Sequence, residues 1–73
     1  MATEEVKSEV KGKVWQIEAN VGDSVEEDDP VIILESMKME IPVVAPEDGT
    51  VKQLLVKEGD PVDEGQVVAI LEV

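Results

Sequence analysis

A segment of 24 residues occurs twice in this chain, and that duplication narrows the folds open to it. Shifted by 37 positions, GKVWQIEANVGDSVEEDDPVIILE (Gly12 to Glu35) falls on GTVKQLLVKEGDPVDEGQVVAILE (Gly49 to Glu72) without a gap and with 11 identities. They include Gly12/Gly49, Val14/Val51, Gly22/Gly59, Asp23/Asp60, Val25/Val62, Ile33/Ile70 and Leu34/Leu71. Two units are too few for a solenoid, whose repeats stack in line. Two half-barrels closing on one core about a pseudo-twofold axis fit the pattern better.

Each half reads the same way. A strand comes first, over Lys13 to Val21 and over Thr50 to Lys57. Its apolar positions Val14, Ile17 and Ala19 answer to Val51, Leu54 and Val56. The step from 14 to 17 breaks strict alternation and predicts a bulge or sharp twist. Gly22-Asp23 and Gly59-Asp60 mark turns, because glycine takes a positive φ without steric cost. A short extended piece follows at Val25 and Val62. A second turn is expected at Glu27-Asp28-Asp29-Pro30 and at Glu64-Gly65-Gln66, and then an apolar strand, Val31 to Leu34 and Val67 to Leu71. Asp28 stands where the second half has Gly65, so a left-handed backbone there costs the first half more.

With 73 residues the chain is read as a single domain, residues 1–73, with a thin core. That core must be aliphatic. Trp15 is the sole aromatic, and 14 Val and 5 Ile stand against 4 Leu. β-Branched side chains favour a pleated sheet. The expected fold class is all-β.

Composition also narrows the chemistry. Cysteine and histidine are both absent, which removes disulfides, thiolates, the usual general base and the commonest zinc ligand. The carboxylates lack EF-hand spacing, so no metal site is expected. A formal net charge of −12 argues against nucleic acid and against an anionic membrane surface as partners. No stretch has the length of a membrane span, and MATEEVKSE lacks the apolar run of a signal peptide, so the expected location is cytoplasmic.

Between the halves lies Ser36-Met37-Lys38-Met39-Glu40, followed by Ile41-Pro42-Val43-Val44-Ala45-Pro46, with no sequence counterpart. The offset of 37 pairs this junction with the chain termini. An axis crossing the long dimension would put Lys38 at one end and both termini at the other. LESMKMEI consists of good helix formers and lacks the Asn-Gly of a tight hairpin. Yet apolar strands flank it, Pro30 and Pro42 bracket it, and so few residues would make a marginal helix. The junction is therefore read as a β-hairpin with Met37-Lys38 at its tip.

A lysine at such a tip can be reached from all sides, as an acceptor for a modifying enzyme must be, and its amine attacks the activated acyl group. A lysine ammonium is almost wholly protonated at neutral pH, so that enzyme must supply both the deprotonation and the activated acyl group. Met37 and Met39 would offer it flexible, polarizable contacts. The same residues also have plain readings: a surface lysine, methionines filling one strand face, and solvated carboxylates at Glu35 and Glu40. Glu35 recurs as Glu72, which favours a scaffold role. Repeat, junction and motif together favour the acceptor.

Across about Val6 to Val73 the sequence resembles the biotinyl/lipoyl attachment domains, most specifically at Glu35-Ser36-Met37-Lys38-Met39, which looks like the (A/S)MKM acceptor motif of biotin carriers. The resemblance implies a flattened barrel of two four-stranded antiparallel sheets with quasi-twofold symmetry. It implies covalent biotin on Lys38, with Met37 and Met39 recognised by a biotin protein ligase and Glu35 and Ser36 flanking the motif. It implies a carrier rather than an enzyme, moving carboxyl-biotin from a biotin carboxylase site to a carboxyltransferase site, monomeric when isolated. Asp28 departs from the family's usual glycine. No protruding loop is inserted between Val14 and Gly22, and no linker or catalytic domain accompanies the chain, so either a stand-alone carrier or one domain of a larger protein is expected. A lipoyl carrier of a 2-oxoacid dehydrogenase is the nearest alternative, but such domains usually present Asp-Lys-Ala at the turn. An unmodified adaptor barrel is the other alternative, and it gives no reason for a Met-Lys-Met junction.

Overall fold

Hydrogen bonds repeat at the same offset of 37 as the sequence. In the computed structural model, which describes residues 2–73, Gly22 N donates to Val51 O and Val51 N to Asp23 O. Their counterparts are Gly59 N to Val14 O and Val14 N to Asp60 O. Each turn thus docks on the opposite half's first strand, and neither half is complete alone. A second duplicated set joins Asp28 N to Ala45 O and Ala45 N to Asp29 O, matched by Gly65 N to Ser8 O and Ser8 N to Gln66 O.

Eight strands result: β1 (Thr3–Lys7), β2 (Gly12–Ile17), β3 (Ser24–Val25), β4 (Pro30–Ser36), β5 (Met39–Val44), β6 (Gly49–Leu54), β7 (Pro61–Val62) and β8 (Val67–Glu72). They form two antiparallel four-stranded sheets, ordered β1-β8-β6-β3 and β5-β4-β2-β7. This is the flattened barrel that the repeat and the resemblance imply. The twofold reaches further than the sequence match. β1 takes in one sheet the place that β5 takes in the other, although Val6 and Val43 are the sole identity between these two strands. Residues 41–45 therefore have a structural counterpart where the sequence shows almost none. Paired backbone, rather than side-chain identity, preserves the symmetry there.

The core is aliphatic. Val6, Val14, Val31, Ile32, Leu34, Val51, Val62, Val68, Ala69 and Leu71 are all but fully buried. Register shifts lie between Val14 and Gln16 and between Val51 and Gln53, where the broken alternation predicts a bulge. Trp15 sits on the first bulge and stays 48% exposed, so the one aromatic adds little to the core.

Several strand boundaries differ from expectation. The first strand of each half ends at Ile17 and Leu54, not at Val21 and Lys57. Glu18 N and Ala19 N both donate to Val31 O, which bends the chain and turns Ala19 into the core. Asn20 N then donates to Asp23 Oδ2 at 2.9 Å and commits the chain to the turn, as Lys57 N does to Asp60 Oδ2. Pro30 opens β4, opposite Val44, rather than closing the second turn. The turns themselves adopt left-handed backbone as anticipated: φ is 96° at Gly22, 94° at Gly59, 72° at Asp28 and 82° at Gly65.

The molecule measures 37 × 19 × 18 Å. Where the sheets meet along β1 and β5, Thr3, Glu4, Glu5 and Lys7 border Val44 and Pro46, whereas Glu9 and Val10 border Ile41–Val44. β1 therefore runs from the N-terminus toward the β4–β5 turn. The chain ends meet at the far end, Thr3 opposite Glu72 and Val73 N donating to Ala2 O.

Candidate functional site

The β4–β5 hairpin is built from the core outward. Ile32, Leu34 and Val43 point inward and are buried, which fixes the period-two register and overrides the local preference for helix. Pairing continues through Leu34/Ile41, Glu35/Glu40 and Ser36/Met39, leaving two residues to close the loop. Pro42 has no N–H to give, and it is tolerated because β5 is an edge strand.

Met37 and Lys38 form the tip, with φ of 50° and 65°. Two successive positive φ values define the mirror-image turn that suits the twist of a two-residue hairpin, normally supplied by Asn-Gly. Neither Met nor Lys favours that region, so the turn is held by the strands on either side and carries strain at its tip. Lys38 is exposed, and it lies at the end of the molecule away from the termini.

The flanking residues differ in placement. Met37 is 93% exposed and Met39 63%, so neither fills a strand face of the core. Glu35 and Glu40 are both exposed and stand opposite each other, with Lys13 on Glu35's other side. Among the described residues no ion pair joins them; the one resolved is Lys7–Glu5, at 3.7 Å. Ser36 is half-buried at the base of the turn.

Sequence reasoning did not single out Gly12. A Cβ built there would lie 2.9 Å from Glu35 O and 3.4 Å from Ser36 Cβ. The absence of a side chain at Gly12 lets β2 press against the hairpin's base and supports the turn from below. Its signal was the identity with Gly49, whose Cβ would meet Glu72 O at 2.8 Å.

The arrangement presents one primary amine on a braced protrusion. Among the described residues no group of three or more Asp or Glu side chains is placed to hold a metal ion. Such a site is open to another protein from several directions.

Comparison with known proteins agrees with this geometry. A family model described as Biotin-requiring enzyme, Biotin_lipoyl, matches residues 2–71. The chain is 48% identical over 63 residues to a biotin/lipoyl attachment protein of Bacillus subtilis, covering 86% of each. It is 37% identical to a biotinylated protein homologue of Mycobacterium leprae, covering 93% of this chain and 96% of that one. A crystal structure of the Kluyveromyces lactis urea carboxylase superposes with a TM-score of 0.92 at 43% identity, covering 99% of this chain and 6% of that enzyme. The chain thus spans most of the small relatives and a minor fraction of the large carboxylase.

Proposed function

The chain belongs to the biotin/lipoyl attachment family, and from that membership we propose that Lys38 is its acceptor, the point at which biotin is joined in amide linkage. The observation that carries this reading is the position of Lys38 at the tip of a two-residue hairpin, exposed and flanked by two exposed methionines.

The chain is a carrier and not a catalyst. Bound biotin supplies a carboxyl group in transit between two active sites. The protein's own contribution is mechanical. β4 and β5 hold the Lys38 amine clear of the barrel, and the left-handed turn keeps its backbone from folding back. Gly12 lets β2 brace the base. Met37 and Met39 give a biotin protein ligase apolar contacts on both sides of the amine. Glu35 and Ser36 complete the flank, Ser36 by packing at the base. Biotin carboxylase and carboxyltransferase sites, in separate subunits or in one larger chain, are the partners this role requires. Amide formation removes the Lys38 charge and takes the formal net charge from −12 to −13.

Intact mass of the chain after incubation with a biotin protein ligase, ATP and biotin tests the proposal. One added biotinyl group, mapped to Lys38 and lost in Lys38→Arg, is the expected result. A lipoyl group on protein purified from its native cell would transfer the same site to the rival cofactor. Native protein carrying neither group would favour the adaptor reading.

A further inference from the structure

Resting on that proposal, we infer that Met37 and Met39 form an oxidation-sensitive gate on the acylation of Lys38. The chain has 3 methionines and no cysteine. Apart from Met1, its sulfur lies in two thioethers on either side of the acceptor. Both are open to solvent, Met37 at 93% and Met39 at 63%. A fold that needed them as filler would bury them, and this one packs neither.

The oxidant is a peroxide. The thioether sulfur attacks the nearer peroxide oxygen, an S–O bond forms and the O–O bond breaks. Sulfur loses two electrons, the departing hydroxide takes up the proton, and water leaves. The product, methionine sulfoxide, is polar and chiral, and it is restored by two reductases, one for each epimer. An apolar, flexible contact surface becomes two strongly hydrated groups beside the amine. Because neither sulfur belongs to the core, this change leaves the barrel folded. The lysine stays exposed while its surroundings cease to match an apolar partner surface. Buried methionines would behave differently, since their oxidation disrupts packing and loses function through unfolding.

The test uses the unmodified chain treated with hydrogen peroxide, with sulfoxide located by peptide mass. Ligase-catalysed biotinylation is then measured before and after treatment. We expect the ligase kcat/KM to fall at least about fivefold with the circular dichroism spectrum unchanged, and to recover with the paired sulfoxide reductases. In the Met37→Leu, Met39→Leu double variant the ratio of treated to untreated rate should stay near one, whatever its untreated rate. Full ligase activity on protein oxidised at both positions overturns the inference. So does an equal fractional loss in the double variant, which would trace the damage to another residue. If untreated wild-type chain is not acylated at all, the acceptor reading fails first and takes this one with it.

Discussion

Met37 and Lys38 occupy consecutive left-handed backbone positions, φ 50° and 65°, in a turn that neither residue type favours. Replacing them should therefore relieve strain. Left-handed conformation costs a non-glycine residue roughly 1–2 kcal/mol, so Met37→Asn combined with Lys38→Gly should stabilise the fold by about 1–2 kcal/mol. In a domain of this size each kcal/mol is worth roughly 4–8 °C in Tm. Urea denaturation followed by far-UV circular dichroism would show it. An unchanged midpoint would mean that the strands do not impose the turn. The variant also removes the Lys38 amine, so on the proposed acceptor role the strain is retained for the sake of that amine.

Asp28 and Gly65 are the same position in the two halves, with φ of 72° and 82°. Reciprocal exchange should give opposite signs. Asp28→Gly relieves backbone strain but gains unfolded-chain entropy, for a net change between zero and about 1 kcal/mol of stabilisation. Gly65→Asp should lose about 1 kcal/mol for the same reasons reversed. A Cβ at Gly65 meets nothing within 4 Å, so the cost is conformational and not a clash. Matched melts of both variants decide it; destabilisation by Asp28→Gly of about 1 kcal/mol or more contradicts the account.

The duplicated halves made much of the fold legible in the sequence. Val14/Val51 and Ile33/Ile70 gave the strands, Gly22/Gly59 the turns and the step to Ile17/Leu54 the bulges. Backbone bonding between dissimilar residues was hidden. Ser8 and Ala45 share one role and no side-chain likeness, so the symmetry of β1 with β5 showed only in the Val6/Val43 identity. At the site, Lys38 stood out through the Met-Lys-Met junction, against local helix propensity. Gly12 did not, because a close backbone approach depends on partners far away in the sequence. The early ends of β2 and β6 were hidden for a related reason: a single carbonyl, Val31 O, accepts from both Glu18 and Ala19 in the first half.

Among the described residues Ser8 is the one buried polar side chain, 1% exposed. Its hydroxyl donates to Val10 O and accepts from Val10 N at 3.2 Å, closing the chain after β1. Ser8→Ala leaves those two groups without their partner and should cost about 1–3 kcal/mol. Because Ala45 does without a hydroxyl at the equivalent position, Ala45→Ser should bring no matching gain. Chemical denaturation of both variants measures the pair, and a Ser8→Ala loss below about 0.5 kcal/mol would show that water replaces the hydroxyl.

Gly12 and Gly49 allow stability to be separated from acceptor function. An alanine Cβ at Gly12 would sit 2.9 Å from Glu35 O, and at Gly49 2.8 Å from Glu72 O, closer than real contacts permit. Each substitution forces strands apart, and overpacking of this kind costs about 1–3 kcal/mol. The two clashes lie at opposite ends of the barrel. Gly12→Ala displaces the Glu35 backbone, three residues before Lys38, and so shifts the base of the β4–β5 hairpin. Gly49→Ala displaces the chain beside the C-terminus and leaves the hairpin in place. Both variants should therefore lose stability, while the ligase kcat/KM for Lys38 falls in Gly12→Ala alone, by roughly threefold or more. The assay belongs well below the melting temperature of either variant, so that unfolded protein does not enter the rates. Equal rates in the two variants would mean that the ligase reads the tip without regard to how its base is held, and the bracing role assigned to Gly12 would fall.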